Sequence, residues 1–262
     1  TLAASLVSNL FFPNIIRIHI EGGYRSKDNN QIEEKARKAS DQLSNIIFTQ
    51  RTEDRKSLFK ENIKKNVHVV GNSIYDSIQT ILKTSNKNKI NKKFFFLNKK
   101  KFIFATIHRA ENVENTARFK KIIDIINILS KENKVFFPIH PRTKKKIDSL
   151  KIKLNSNVII YSPITYSETI FLLSKSLFCF TDSGGLQEES IILKKRCLIP
   201  SNKTPHSYYL HKYANHLIQI DNSDYILKVK KFKKILANSK IKNFYHPKKV
   251  SEKITKILKK HI

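Results

Sequence analysis

The alternation of short apolar runs with amphipathic helical stretches constrains this chain more than any other feature of it. Asn14 to Ile20 reads as a strand running into Glu21-Gly22-Gly23. A helix follows over about Gln31 to Leu43, and Asn45 to Thr49 and Val67 to Val70 read as two further strands. A second series begins with the strand Phe102 to Ile107. The helix Thr116 to Ser130 carries Phe119, Ile122, Ile123, Ile126 and Leu129 on one stripe. Val135 to Ile139, Val158 to Tyr161, Leu177 to Phe180 and Cys197 to Ile199 are further short, apolar strands, with helical stretches between most of them. Strand and helix in alternation fold as a parallel sheet wrapped by helices. The Lys- and Asn-rich stretch from Lys83 to Lys93 has no apolar period and reads as a loop near a domain junction. The expected class is α/β, with two Rossmann-like doubly wound domains in tandem and ligands beyond the carboxyl ends of their strands. The first series has three strands and no opening glycine-rich turn, so its domain is expected to be incomplete.

Composition narrows the function. The chain of 262 residues is long enough to bury two cores. No stretch reaches 18 apolar residues without a charge, so no membrane-spanning helix is expected, and the N-terminus shows no basic-then-apolar signal pattern. Two cysteines, Cys179 and Cys197, both in apolar runs, exclude a disulfide framework and a cysteine zinc site. With no methionine anywhere, Thr1 is not an ordinary translation start, and the chain is expected to be processed, cut or part of a longer reading frame.

The net charge of +30 invites a nucleic-acid reading, because basic surfaces bind polyanions by releasing counterions. Only nine of the 51 basic residues are arginine, and the lysines are scattered with asparagine and isoleucine, as a drift toward A- and T-rich codons would leave them. Tyr225 to Ile262 carries 13 lysines and one acid on a helical pattern, which reads as a solvated face. No RNA- or DNA-reading motif accompanies the charge, so weak, salt-sensitive stickiness is expected and specific nucleic-acid binding is not.

Three clusters can carry chemistry. Thr181-Asp182-Ser183-Gly184-Gly185-Leu186-Gln187-Glu188-Glu189 follows a strand directly. Two glycines opening a helix let backbone N–H groups approach an anion, and Ser183 adds a hydroxyl. Glu189 lies one turn further in, where it can accept from ribose hydroxyls. The alternative is an ordinary strand-to-helix turn with a capping Asp or Ser. The second cluster is Thr106-Ile107-His108-Arg109-Ala110-Glu111-Asn112, again at a strand end, where a histidine beside an arginine can meet a leaving phosphate. Pro138-Ile139-His140-Pro141-Arg142-Thr143 holds the equivalent place on the next strand, and its prolines also fit a rigid turn. The third is His19-Ile20-Glu21-Gly22-Gly23-Tyr24-Arg25-Ser26, followed by Glu33 and Glu34. Paired carboxylates suit removal and return of a proton on carbon. Equally, Glu33 and Glu34 suit a helix N-terminus.

Together and in this order these segments resemble the non-hydrolysing UDP-N-acetylglucosamine 2-epimerases, whose architecture is two facing Rossmann-like domains of the glycosyltransferase-B type. The resemblance covers nearly the whole chain. It takes in Ile18 to Ser26, Ile32-Glu33-Glu34 with Arg37, and Val70-Gly71-Asn72-Ser73-Ile74-Tyr75-Asp76. It continues through Thr106 to Asn115, His140 to Thr143, Tyr166, Thr181 to Glu189, Asn243 to Tyr245 and Ser251 to Ile254. It implies that the C2 proton of the sugar is removed and UDP expelled from C1, giving a glycal. UDP then re-adds with the proton delivered to the other face, giving the ManNAc epimer for surface polysaccharide.

By the same resemblance Glu21 and Glu33 are the acid/base carboxylates and His108 stabilises the departing diphosphate. Ser183, Gly184 and Gly185 hold the diphosphate and Glu189 the ribose. Arg25, Arg109, Glu111, Asn112 and His140 are the other substrate-binding residues. The implied enzyme is a cytoplasmic homodimer acting on a UDP-sugar, with no metal and no nicotinamide or other cofactor. Residues 1–72 would form the second half of an N-terminal domain, 73–245 a UDP-binding domain, and 246–262 a closing helix packing back toward the first.

The chain also departs from the family pattern. The family's opening strand, basic phosphate loop and a further catalytic Asp would precede Thr1, so these 262 residues alone are expected to be inactive. Ser201 to Ser207 replaces an arginine-bearing stretch, Thr169 an aromatic, Ala110 a second arginine, and His246-Pro247-Lys248 a Gly-Asp-Gly. The competing functions are a hydrolysing epimerase releasing ManNAc and UDP, a glycosyltransferase of the same architecture, and a non-catalytic remnant that binds nucleotide or polyanions.

Overall fold

Short strands with apolar side chains on both faces need cover on both sides, and parallel pairing with helical crossovers supplies it. The computed structural model describes residues 1–25, 32–97, 101–202, 204, 215–238 and 249–261. The chain divides into two units, Thr1–Gln79 with Tyr245–Ile262, and Thr80–Phe244. In chain order come α1 (Leu2–Phe11), β1 (Ile18–Ile20), α2 (Ile32–Gln42), β2 (Ile46–Thr49), α3 (Thr52–Lys60), β3 (Val67–Val69) and α4 (Ile74–Thr84). Then follow α5 (Lys87–Lys93), β4 (Phe102–Thr106), α6 (Ala110–Val113), α7 (Thr116–Ser130), β5 (Lys134–Pro138), α8 (Pro141–Ser149) and β6 (Val158–Tyr161). The series closes with α9 (Tyr166–Lys175), β7 (Phe178–Thr181), α10 (Gly184–Ile192), β8 (Arg196–Pro200), β9 (Asn215–Ile218), α11 (Tyr225–Asn238) and α12 (Val250–Leu258).

The six strands of the second unit pair in the order β6-β5-β4-β7-β8-β9, all parallel. In sequence terms this is the doubly wound order 3-2-1-4-5-6, which reverses direction between β4 and β7. Every residue of β4 from Phe102 to Ala105 is buried, and successive side chains enter different cores. Ile103 and Ala105 join a cluster with Phe119, Ile122 and Ile126 of α7, while Phe102 and Phe104 join one with Leu172 of α9 and Leu186 of α10. Each fully buried Ile, Leu or Phe side chain contributes roughly 1.5–3 kcal/mol. Cys179 and Cys197 are paired residues of β7 and β8, both buried thiols. Strand β9 was not expected from the sequence: Asn215 and His216 break its apolar run, yet it completes the sheet beside β8.

The Lys83 to Lys93 stretch is a helix instead of the expected loop. α4 runs to Thr84 and α5 starts at Lys87. Asn86 caps α5 by accepting from the Lys89 N–H at 2.9 Å, Ile90 is buried, and Lys93 donates to Glu168 of α9 at 2.7 Å. A cap, one apolar anchor and one ion pair hold two turns that show no period.

In the first unit β1-β2-β3 form a parallel sheet, and Val250 and Ile254 of α12 pack on Ile46, Phe48 and Val70. Asp76 caps α12, accepting from Ser251 N at 2.8 Å and Lys249 N at 3.2 Å. β1 pairs with β2 alone among the described residues. Its Ile18 and Ile20 are 39% and 47% exposed, and α1 contains no buried residue.

The turn after β1 is the tightest place in this unit. A Cβ on Gly22 would overlap Ile47 Cγ2 and Asp41 Oδ1. Gly23 has φ +77° and would place a Cβ 2.6 Å from the Asp54 carbonyl oxygen. Only glycine fits both constraints. Gly23→Ala is expected to lower stability by about 2 kcal/mol or more, read as a fall in the urea midpoint; an unchanged midpoint would show that the turn is not held as described.

Candidate active site

Ligands of doubly wound sheets bind outside the carboxyl ends of the strands, at the point where the order reverses. Here that point lies between β4 and β7, and two polar ties cross it. Thr106 and Thr181 share a hydroxyl hydrogen bond of 2.7 Å. Asp182, whose side chain is 1% exposed, accepts from the backbone N–H of His108 at 3.1 Å and of Arg109 at 2.9 Å, and from Asn112 Nδ2 at 2.9 Å. His108 Nδ1 faces Asp182 Oδ1 at 3.4 Å. From the other side α8 takes the carbonyls of the same loop: Arg142 Nη1 donates to His108 O at 3.3 Å, and Thr143 Oγ1 donates to Ile107 O. Backbone donors and acceptors of residues 107–109 are therefore fixed from two directions, while the His108 ring stays 41% exposed.

The expected residues of this loop divide into two kinds. Arg109 extends toward Glu111 at 3.8 Å, and both side chains are partly open to solvent. Asn112 is fully buried, with Nδ2 on Asp182 and Oδ1 accepting from Arg118 Nε at 2.7 Å, so its amide is committed within the chain. His140 sits one strand over, as the N-cap of α8. Its Nδ1 accepts from Arg142 N at 3.2 Å, and its ring lies 5.9 Å from that of His108.

After β7, Ser183 is the N-cap of α10, with Oγ accepting from Leu186 N at 3.4 Å. Gly184 and Gly185 are the first two residues of that helix, whose opening amides have no intrahelical carbonyl to bond. A Cβ on Gly185 would meet nothing nearer than Glu189 Oε1 at 3.8 Å. Packing within the chain thus does not demand glycine there, and the open approach suits an anion at a helix N-terminus. Glu189, one turn in, is buried and accepts from Tyr166 Oη at 2.8 Å. Burial pushes the Glu189 carboxyl above the usual carboxylate range; the Tyr166 hydroxyl draws it back and the Glu188 charge adds to the rise. Burial and the Glu189 charge raise Tyr166 in turn. A buried carboxylate next to a hydroxyl is a ready acceptor for a diol.

The first unit builds its own edge. Glu21, immediately after β1, has φ +67°, a left-handed conformation that is uncommon for a side chain of this size. Ser73, after β3, donates to Glu21 Oε1 at 3.0 Å. The turn is anchored by Asp41, fully buried, which accepts from Gly23 N at 3.1 Å and Arg25 Nη1 at 2.8 Å and pairs with His19 Nδ1 at 2.6 Å. Arg25 also grips Glu61, Nε to Oε1 at 2.8 Å, and the two acids hold its guanidinium charged against the cost of burial. Its donors are spent on the turn. Glu33 lies in the first turn of α2, its side chain 80% exposed and 3.4 Å from Arg37; its neighbour Glu34 is the buried one.

Sequence reasoning passed over Asp182, Asp41 and Ser73. The signal for Asp182 was a charged side chain placed directly between a buried strand and a helix cap. Ser26, Lys203, Pro205 to Ser207 and Asn243 to Lys248 lie outside the described residues. Among the described residues no three His, Cys, Asp or Glu side chains are grouped as metal ligands, and no helix is long and apolar enough to cross a membrane.

The chain as a whole is similar to known proteins. The chain is 34% identical to the UDP-N-acetylglucosamine 2-epimerase of Methanocaldococcus jannaschii, over 98% of this chain and 72% of that enzyme. It is 35% identical to a UDP-N-acetylglucosamine 2-epimerase of Methanococcus maripaludis, over 82% of this chain and 62% of that one. The crystal structure of the Methanocaldococcus enzyme in complex with UDP-GlcNAc and UDP superposes with a TM-score of 0.84, covering 99% of this chain and 72% of that chain. The chain therefore spans between three fifths and three quarters of these relatives. A family model described as UDP-N-acetylglucosamine 2-epimerase matches residues 1–259, and the chain belongs to that family.

Proposed function

We propose that this chain carries the substrate-binding and much of the proton-transfer machinery of a UDP-N-acetylglucosamine 2-epimerase. One observation supports the reading most: nearly all the nominated residues stand at the carboxyl ends of strands in one or other of the two parallel sheets. Glu21 and Arg25 follow β1, His108 to Asn112 follow β4, His140 follows β5, and Ser183 to Glu189 follow β7. Glu33 is the exception, on α2.

The chemistry then runs as follows. The first-turn amides of α10 and Ser183 hold the diphosphate, Glu189 accepts from the ribose, and His108 with Arg109 meets charge on the leaving phosphate. One carboxylate takes the C2 proton, the C1–O bond breaks with its electron pair leaving on UDP, and a C1–C2 double bond forms. Return of a proton to the opposite face with re-addition of UDP gives the epimer, which needs a second acid; Glu21 and Glu33 fill these positions. Arg25 and Asn112 act as supports for the loops that carry Glu21 and His108. A hydrolysing enzyme shares the elimination and differs in releasing ManNAc and UDP. The proposal further makes the enzyme a cytoplasmic homodimer with a nucleotide sugar, not a nucleic acid, as its partner.

The reading frame that encodes this chain, expressed whole and incubated with UDP-GlcNAc in heavy water, is expected to place deuterium at C2. Active enzyme that retains protium would exclude proton abstraction. Glu21→Gln is expected to cut turnover by about 10²–10⁴ while UDP still binds, whereas an unchanged rate would remove Glu21 from the chemistry.

Glu189 gives a separate test. Its carboxyl holds a proton more tightly folded than unfolded, so its contribution to stability is full below the ordinary carboxylate range and is lost as pH rises through the raised folded value. Glu189→Gln keeps a partner for Tyr166 and removes the buried charge. Its unfolding midpoint is expected to equal or exceed wild type at pH 8, with the gap closing toward pH 4, while UDP binding weakens about tenfold or more. A lower midpoint at pH 8 would contradict the burial argument.

A further inference from the structure

A buried carboxylate beside a site built for a diphosphate is electrostatically out of place unless it has work to do there. Asp182 carries its charge within one residue of the α10 N-terminus, yet points away from that helix into the loop after β4. Two backbone N–H groups and the Asn112 amide offset its burial. What those donors do not explain is the fourth neighbour, His108 Nδ1, which faces Oδ1 at 3.4 Å. That distance is long for a hydrogen bond but short for a charge, and a carboxylate there holds a proton on Nδ1 in the neutral ring and in the cation alike. The same backbone bonds hold the His108 Cα beside this carboxylate.

We propose that Asp182 is a positioning residue that fixes the His108 tautomer with Nδ1 protonated, so that His108 binds a diphosphate oxygen only by taking up a proton at Nε2. This rests on the UDP-binding reading above. A free imidazole could turn its N–H toward the phosphate and stay neutral. With Nδ1–H committed to Asp182, the neutral ring offers a bare lone pair to an anion, which repels it. Protonation at Nε2 converts that lone pair into a donor toward the diphosphate. The other groups around the ring set the balance. His140, 5.9 Å away between ring centres, has Nδ1 occupied as an acceptor, and Arg142 and Arg109 oppose added positive charge. Among the described residues Asp182 is the carboxylate within ion-pair distance of the His108 ring. The proton stays on His108 throughout, and no bond to substrate forms or breaks at Asp182.

The test uses the chain itself with UDP. Calorimetric titration at pH 8 in two buffers of different ionisation heat is expected to show uptake approaching one proton per UDP, with affinity falling as pH rises. Asp182→Asn is expected to keep UDP binding, lose most of the uptake and flatten that pH dependence; a merely structural aspartate would weaken binding equally at all pH values. Wild-type binding with no buffer dependence would overturn the proposal and leave the UDP site standing. Should the variant fold poorly, nitrogen NMR of the wild-type protein decides independently: His108 is expected as the Nδ1–H tautomer at pH 8, and an Nε2–H tautomer would overturn the proposal. Absence of any UDP binding by wild type, with the Nδ1–H tautomer present, would sink the nucleotide reading instead and with it the proton uptake.

Discussion

One buried carboxylate organises the carboxyl edge between β4 and β7. β4 and β7 lie side by side because the strand order reverses there, and that reversal leaves a gap above their carboxyl ends that backbone pairing cannot close. Asp182 closes it chemically, by collecting the N–H groups that the chain frees on leaving β4. Unpaired backbone donors at a buried strand end are costly, so the loop after β4 has one good arrangement and His108 inherits it. Arg142 and Thr143 of α8 donate to the His108 and Ile107 carbonyls of the same segment.

The first unit solves the same problem with Asp41. It too is fully buried, takes a backbone N–H from the turn it holds, and gathers a histidine and an arginine around it. The two glycines ahead of Arg25 let the backbone turn tightly enough to meet Asp41, and the turn carries Glu21 into a left-handed conformation that the surroundings maintain. A strained backbone at a carboxylate that also accepts from Ser73 is the kind of cost a chain bears where geometry matters to chemistry. Two buried aspartates, each fixing one loop beyond a parallel strand, thus set the two groups on which the proposed chemistry depends.

Much of this was legible in the sequence, and the reasons are physical. Apolar runs such as Phe102 to Ile107 and the stripe on Thr116 to Ser130 answer directly to burial, so β4 and α7 fall where the periodicity puts them. Glycines and capping residues beside strand ends marked the turns after β1 and β7. What escaped was whatever depends on a partner distant in sequence. α5 has too little apolar period to announce itself and stands on Asn86, Ile90 and an ion pair to Glu168, 75 residues away. Asp182 reads as a cap until the loop 74 residues earlier is seen folded against it. Arg25 and Asn112 show the opposite lesson. Their side chains suit a phosphate or a sugar hydroxyl on paper, and in the fold they are spent on Asp41, Glu61, Asp182 and Arg118.

The central claim is that the carboxyl edge at β4 and β7 is where the nucleotide sits, as opposed to the lysine-rich helices α11 and α12. Backbone amide shifts measured during a UDP titration at physiological salt test this most directly. The account predicts the largest, saturable changes at Gly184, Gly185 and residues 107–109. Changes confined to the lysines of α11 and α12, fading as salt rises, would contradict it and leave a basic surface that merely attracts anions.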